Sequence, residues 1–254
     1  MKDVSGVIFD MGNTLMYLDN EWEAVRHQGA SDLVDFLTER GFAIEPSQFA
    51  QDYLALRQSL YARSVEEQVE YTAEYSLRAL LSQCGFEDVS QDLVEEALRA
   101  FFALEASQWK PYPHAEATLR ALSERGHRLA VISNATDDLL IQGLVDRFGF
   151  RQWFDVSFTS AGVGLRKPHP GIFERVLDQW DFPPSQVVMI GDTLRFDVLG
   201  AHNSGCKGIL AAWDLYPDYD VEGDHVVPDA TSESLPHLLH VIADLGERST
   251  AGSG

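Results

Sequence analysis

The pattern of hydrophobic and polar positions changes character near residue 110. From there to residue 212, short apolar runs rich in β-branched residues alternate with segments of helical periodicity. The predicted strands cover residues 128–133, 155–159, 186–190 and 207–212, and the predicted helices cover residues 113–125, 137–147, 170–180 and 194–204. Such alternation is typical of βαβ units, so we predict an α/β fold with a doubly wound, Rossmann-like parallel sheet. The apolar run at residues 4–9 would supply a central strand.

A different pattern fills residues 20–107, which show helical periodicity and little strand character. It predicts a small helical bundle, residues 20–107, inserted into a core made of residues 1–19 and 108–248. Past residue 212, Val226 and Val227 predict an edge strand, and a closing helix is expected around Leu235 to Leu245. The remaining residues, 249–254, are predicted to form a disordered tail.

Composition narrows the class of protein. The chain has 254 residues, of which 45% are hydrophobic, and no apolar run approaches the roughly 18 to 20 residues of a membrane helix. The N-terminal residues lack the series of features that makes up a signal peptide. The two cysteines, Cys84 and Cys206, lack the spacing of a zinc site or a disulfide framework. We therefore expect a cytoplasmic protein without a membrane partner.

The charge of the chain is strongly negative, with 19 Lys and Arg against 40 Asp and Glu and a formal net charge of −21. Such a surface repels polyanions, so a nucleic acid partner is not expected. It would also repel a small phosphorylated substrate unless a bound cation and a few local basic groups reverse the sign inside the site.

Candidate chemistry lies at the ends of the predicted strands, where an open parallel sheet presents its ligand-binding groups. Asp10 ends the first apolar run and is followed by Gly12 and Asn13, which tolerate unusual backbone angles. Asp192 and Asp197 lie five residues apart across another strand-to-helix junction, after Gly191. Read alone, Asp10 fits a strand-end acid, and Asp192 fits a helix cap. Together, the carboxylates could bind one hard cation.

Two further segments could hold a phosphate group. Ser133 and Asn134 follow a predicted strand and precede a helical pattern, where a hydroxyl and free amides can bind phosphate oxygens or simply cap the helix. Lys167 lies in a predicted loop and could supply positive charge to a phosphoryl group, although a solvated surface lysine is the ordinary alternative.

The order of these four segments, their places at strand ends and their spacing resemble the haloacid dehalogenase superfamily. In that family a strand-ending Asp, a Ser or Thr, a Lys and a pair of acids form four ordered motifs. The corresponding residues of this chain are Asp10, Ser133, Lys167, and Asp192 with Asp197. The resemblance covers nearly the whole chain, since residues 20–107 fall where one subgroup carries a helical cap.

The resemblance implies a Mg²⁺-dependent phosphohydrolase that acts on a small phosphorylated metabolite. Asp10 would attack phosphorus to give an aspartyl-phosphate, which water would hydrolyse. The implied metal site consists of Asp10, the main-chain carbonyl of Gly12, Asp192 and, helping to hold the metal and its waters, Asp197. The implied binding site for the transferring group consists of Ser133, the Asn134 amide and Lys167, which also serves catalysis by spreading the charge of that group.

Gly12 departs from the pattern, because most phosphatases of the family carry a second Asp at this position as general acid and base. Three interpretations remain open. In a phosphatase, the role would pass to another group such as Asp19, a cap residue or water. A 2-haloacid dehalogenase would need no acid, because halide leaves unprotonated. A non-catalytic protein would bind a phosphorylated ligand or a protein partner.

Several aromatic and basic residues at or near the cap are candidates for substrate contact: Tyr17, Trp22, Arg26, Arg57, Tyr61, Arg63 and Arg78. The sequence does not choose among them, and it leaves the oligomeric state open between monomer and homodimer.

Overall fold

The computed structural model of the chain describes residues 4–213 and 225–251. The strands are β1 (Gly6–Phe9), β2 (Met16–Leu18), β3 (Trp109–Pro111), β4 (Arg128–Ser133), β5 (Val156–Thr159), β6 (Val187–Gly191), β7 (Lys207–Ala211) and β8 (Ala230–Ser232). Six of them form one sheet in the order β5-β4-β1-β6-β7-β8, and every pair in that sheet is parallel. The prediction of an α/β fold around a parallel sheet is therefore confirmed.

Ten α-helices accompany the strands in the described part of the chain. They are α1 (Trp22–Glu39), α2 (Pro46–Glu67), α3 (Ala73–Gln83), α4 (Gln91–Gln108), α5 (Ala115–Glu124), α6 (Asp138–Arg147), α7 (Ser160–Val163), α8 (Pro170–Leu177), α9 (Leu199–Asn203) and α10 (Leu238–Ala251). A single π-helical turn at residues 194–198 precedes α9. None of the helices in the described ranges is long and apolar enough to cross a membrane.

Helices cover both faces of the sheet. Along β1, Val7 and Phe9 pack into a cluster with α5, α6 and α10, while Ile8 packs on the opposite face with α8 and α9. Because successive side chains of a strand point to opposite faces, a strand buried on both sides must be apolar at every position. This explains the unbroken run of apolar residues in β1 and in β6.

The predicted edge strand at Val226 and Val227 is wrong, because the strand begins at Ala230. Pro228 lacks the N–H that a ladder needs, and Val227 is 76% exposed. The chain joins β7 only afterwards, where the Asp229 N–H donates to the carbonyl of Gly208 at 2.9 Å. The predicted tail at residues 249–254 overlaps the end of α10, and its last three residues lie outside the described part.

Helices α1 to α4 lie between β2 and β3 in the chain and enclose a hydrophobic cluster of their own. Leu33 and Leu37 of α1, Tyr53 of α2, Leu77 of α3 and Phe101 of α4 are all buried in it. The two chain segments that connect these helices to the sheet pair with each other as the antiparallel ribbon of β2 and β3. We refer to residues 22–108 as the helical insertion.

Candidate active site

The site is built around Asp10, directly after β1. Strand β1 pairs with β4 on one side and with β6 on the other, and the Asp10 N–H donates to the carbonyl of Ile190 at 2.9 Å. Since all three strands are parallel, their carboxyl ends lie side by side. The sheet therefore brings Asp10, Ser133 and Asp192 to one edge, at the point where the strand order reverses direction and α/β proteins bind their ligands.

Lys167 completes this cluster from a loop. Its ammonium donates to Oδ1 of Asp10 at 2.6 Å, to Oδ1 of Asp197 at 2.6 Å and to the carbonyl of Ile132 at 2.9 Å. All three donor positions of the amine are used, and the residue is only 1% exposed. Burial opposes its charge, but the two carboxylates overcome that effect and raise the pKa of Lys167. It is therefore a fixed, buried cation rather than a surface lysine.

Asn134 holds the Lys167 loop in place. Its side-chain oxygen accepts the Lys167 N–H at 2.8 Å, and its side-chain nitrogen donates to the Lys167 carbonyl at 3.0 Å. One amide side chain thus bonds both polar groups of a single residue. We expected the Asn134 amide to bind phosphate. The side chain is committed to Lys167, so the main-chain N–H of Asn134 is the group left for that role.

Close packing at the end of β6 positions Asp197. Both its oxygens accept hydrogen bonds, Oδ1 from Lys167 and Oδ2 from the N–H and the hydroxyl of Thr193, at 3.0 and 2.6 Å. A Cβ on Gly191 would lie 2.1 Å from Cγ of Asp197, which no side chain could tolerate. Position 191 must therefore be glycine for Asp197 to occupy this place.

The turn after β1 also contributes a contact. Asn13 adopts a left-handed conformation with φ of 54°, which Asn accepts more readily than most residues. Its side-chain nitrogen donates to Oδ2 of Asp192 at 3.2 Å. This hydrogen bond links the first and the last of the four motif segments.

Three acidic side chains share this site with one lysine, and the electrostatics reflect the imbalance. Burial raises the pKa of Asp10 to about 6, with Lys167 opposing and Asp197 adding to the rise. Burial raises the pKa of Asp192 to about 8, and the charges of Asp10 and Asp197 add to the effect. A further cation at this position would relieve the repulsion and restore both carboxylates to their charged forms.

The donor set fits Mg²⁺. Asp10 and Asp192 provide carboxylate oxygens at one sheet edge, and Gly12 offers a main-chain carbonyl in the intervening turn. Among the residues that the structure describes, no three His, Cys, Asp or Glu side chains are arranged as a metal-binding group. Magnesium does not require such a group, because it is usually held by one or two carboxylates and completes its shell with water and substrate phosphate.

Two side chains of the helical insertion, Arg57 and Glu70, bond to loops beside this site. Arg57 of α2 donates to the hydroxyl of Thr136 at 2.7 Å, in the loop that follows Ser133. Glu70 lies between α2 and α3, and its Oε2 accepts the hydroxyl of Ser160 at 2.7 Å and lies 3.4 Å from the Arg166 guanidinium. Sequence reasoning missed Glu70, which pairs with the residue next to Lys167.

Other candidate residues have partners outside the carboxylate cluster. Asp19, suggested as a substitute acid, is exposed and paired with Lys110. The remaining residues of the predicted set are engaged elsewhere: Arg26 with Glu23, Arg63 with Glu67 and Tyr71, Arg78 with Glu74, Val89 and Gln91, Tyr17 with the Tyr112 ring, Trp22 with the Trp109 ring, and Tyr61 beneath the Arg166 guanidinium.

Comparison with known proteins identifies the family of the chain. The family model described as haloacid dehalogenase-like hydrolase matches residues 4–205. The chain therefore belongs to the haloacid dehalogenase-like hydrolase family, and its identification as a hydrolase of this family is confirmed.

Two relatives are named glyceraldehyde 3-phosphate phosphatase. The protein from Methanopyrus kandleri is 26% identical over 246 residues, which cover 96% of this chain and 99% of the relative. The protein from Methanothermobacter thermautotrophicus is 38% identical over 117 residues, but the match spans only 46% of this chain and half of the relative.

Among solved structures, a 2-haloacid dehalogenase from Pseudomonas syringae pv. tomato superposes with a TM-score of 0.70 at 24% identity, covering 95% of this chain and 99% of the other. At this level of identity, the likeness establishes the fold alone.

Proposed function

We propose that the chain is a Mg²⁺-dependent phosphohydrolase that acts on a small phosphorylated metabolite. The observation that carries the proposal is the fixed ion cluster of Asp10, Lys167 and Asp197, placed beside Asp192 at the edge of the sheet. A buried carboxylate oriented by a buried lysine is suited to nucleophilic attack on phosphorus, because both are held in place before the substrate arrives. The phosphatase names of the relatives support the same reaction.

In the proposed reaction, one carboxylate oxygen of Asp10 attacks phosphorus, and the bond to the leaving oxygen breaks. The product is an aspartyl-phosphate, whose phosphorus is then attacked by water to release phosphate and regenerate Asp10. Lys167 would place its positive charge beside the oxygens of the transferring group, which the Ser133 hydroxyl and the Asn134 N–H would bind. These groups are donors fixed before reaction, which is the arrangement that stabilises developing negative charge.

Asp10, the carbonyl of Gly12 and Asp192 would hold Mg²⁺, which when bound supplies positive charge to the phosphoryl oxygens. Asp197 would act indirectly, by positioning Lys167 and by contacts to metal-bound water, because both of its oxygens already accept hydrogen bonds. The helical insertion would serve as the cap over the site and would select the substrate, since its Arg57 contacts the loop after Ser133 and its Glu70 contacts the loop that carries Lys167.

The substrate class follows from charge. In a chain of net charge −21, the buried ammonium of Lys167 and a bound cation would provide local positive charge for a phosphate group. A glyceraldehyde 3-phosphate-sized sugar or triose phosphate is the natural first candidate, given the two relatives. The second candidate function, a non-catalytic phospholigand binder, is favoured by a single observation, which is the absence of a carboxyl at Gly12.

Hydrolysis of para-nitrophenyl phosphate tests the proposal, because this leaving group makes the least demand on an acid. The purified protein should turn it over with Mg²⁺ and lose the activity in EDTA. Asp10→Asn should reduce turnover to the background rate, whereas Asp178→Asn, at an exposed position at the end of α8, should leave it unchanged. Turnover that survives in Asp10→Asn would overturn the proposed mechanism, and absence of any turnover would favour the binder.

A further inference from the structure

Gly12 leaves room for a group from elsewhere in the chain. A Cβ built at this position would have a single neighbour within 4 Å, which is the Cη2 atom of Trp109 at 3.5 Å. The indole of Trp109, the first residue of β3, therefore borders the space where most phosphatases of the family carry their acid and base. A side chain that replaces the missing acid and base must reach this space by passing the indole.

Glu105, in the last turn of α4, has a carboxyl group that is hydrogen-bonded to that indole. Its Oε1 accepts the Nε1–H of Trp109 at 3.3 Å, and the residue is only 8% exposed. Its second oxygen has no hydrogen-bond partner within the described ranges, yet it is not sealed off from solvent as the unpartnered Oε1 of Glu70 is. Glu105 therefore has one oxygen anchored and one free to exchange a proton.

The surroundings of Glu105 favour its protonated form. Burial raises its pKa, while the Trp109 hydrogen bond and the charge of Arg57 on α2 oppose the rise. Asp137, at the start of α6, adds to it, and Arg26 on α1 opposes it weakly. An acid that keeps its proton above the usual range of glutamate can donate that proton to a leaving group.

The acidic side chains of Asp137, Glu70 and Asp19 each bond to groups other than the Trp109 indole. Asp137 caps α6 by accepting the Leu140 N–H at 2.7 Å. Glu70 is held by Ser160 and Arg166, and Asp19 is exposed and paired with Lys110.

We propose that Glu105 is the general acid and base of this site, in place of the carboxyl that position 12 lacks. The inference rests on the proposed phosphohydrolase function. As Asp10 attacks phosphorus and the bond to the leaving oxygen breaks, the Glu105 carboxyl gives its proton to that oxygen. The resulting carboxylate then takes a proton from water while the water oxygen attacks the aspartyl-phosphate. Phosphate leaves, Asp10 is regenerated, and Glu105 ends the cycle protonated.

Two aryl phosphates of similar shape test this role. Para-nitrophenolate leaves without a proton, whereas the phenolate of phenyl phosphate is as basic as a tyrosine side chain and needs one. Glu105→Gln keeps the acceptor for Trp109 but cannot transfer a proton. It should leave kcat/KM for para-nitrophenyl phosphate within about threefold and reduce kcat/KM for phenyl phosphate by about 10² to 10⁴-fold, because this constant covers only the steps up to departure of the leaving group. Hydrolysis of the aspartyl-phosphate, in which Glu105 acts as the base, should slow equally with both substrates. Glu96→Gln, an exposed position on the same helix, should change neither.

A rescue experiment distinguishes a catalytic role of Glu105 from a structural one. Gly12→Asp should restore phenyl phosphate hydrolysis in the Glu105→Gln background, because the new side chain has space and the backbone there is not left-handed. The decline of wild-type phenyl phosphate turnover at high pH should disappear in Glu105→Gln, since the wild-type acid loses its proton as pH rises. If Glu105→Gln fails to fold, Glu105→Asp is used and should fall between wild type and the expected Gln variant.

The outcomes separate the two proposals. Asp10-dependent turnover combined with equal changes in kcat/KM for both substrates in Glu105→Gln, or with no change in either, overturns the role of Glu105 and leaves the phosphohydrolase intact. Failure of Gly12→Asp to rescue a selective loss also overturns it. Absence of Asp10-dependent turnover overturns both.

Discussion

Two buried ion clusters lie close together in this molecule and differ in how completely they are satisfied. Lys167 makes three hydrogen bonds, and both oxygens of its partner Asp197 are used. The pair of Glu70 and Arg166, where the helical insertion meets the sheet domain, leaves Oε1 of Glu70 and Nε of Arg166 buried without partners. Unmet buried polar atoms cost free energy. The polar groups of Lys167 and Asp197 are therefore all satisfied. The ion pair between Glu70 and Arg166 is not, so it should contribute less to the free energy of unfolding.

Replacing Lys167 should have the largest effect on stability of the variants considered. Lys167→Met leaves Asp10 and Asp197 buried without their cation, and loss of one partner of such a pair costs about 3 to 5 kcal/mol of unfolding free energy. Urea denaturation measures this loss, and turnover should fall to background. Lys110→Met, at an exposed pair with Asp19, is the control and should unfold at the wild-type urea concentration. A small effect of Lys167→Met would mean that the carboxylates are satisfied by other means.

A methyl group at position 191 should disturb the same cluster by crowding. Gly191→Ala forces Asp197 or the strand to move, because the new atom would lie 2.1 Å from its Cγ, and overpacking of this kind costs about 1 to 3 kcal/mol. Thermal denaturation and turnover should both fall. Gly143→Ala, inside α6 and with nothing within 4 Å of a Cβ, should instead stabilise the protein by up to about 1 kcal/mol. Equal behaviour of the two variants would contradict the packing argument.

Uncharged side chains should be able to replace the ion pair between Glu70 and Arg166 with little loss of stability. Arg166→Met alone leaves Glu70 buried without its ion pair and should destabilise the protein. The double variant Glu70→Gln with Arg166→Met removes both charges and keeps an oxygen for Ser160, so its unfolding free energy should lie within about 1 kcal/mol of wild type. Urea denaturation of the single and double variants measures the coupling. A double variant as unstable as the single one would show that this contact is as specific as the lysine cluster.

Local patterns in the sequence were sufficient to predict the central strands of the sheet. Strands β4 and β6 were predicted within a residue because apolar runs buried on both faces carry a strong signal, and the residues at their ends follow from the geometry of parallel sheets. The second role of Asn134 could not be predicted, since it depends on where a loop 33 residues away returns. The same holds for Glu70, whose partners are 90 or more residues distant.

The place of Glu105 in the hydrophobic pattern of α4 could have indicated a special role for this residue. The buried face of α4 carries Val94, Leu98 and Phe101, and Glu105 follows Phe101 by four residues on the same face. A carboxyl among apolar positions at helical spacing is unusual enough to require a partner or a function. Which of these applies depends on Trp109 and Gly12, which come close to each other only in the folded chain.

The amide of Asn134 has one more consequence. By donating to the carbonyl and accepting from the N–H of Lys167, it reproduces with a side chain the pair of bonds that an adjacent strand would make. Lys167 is thereby tied to the end of β4 as though it were the next rung of the ladder. A loop residue is thus held as precisely as a residue of the sheet. Its hydrogen bond to Asp10 requires this precision.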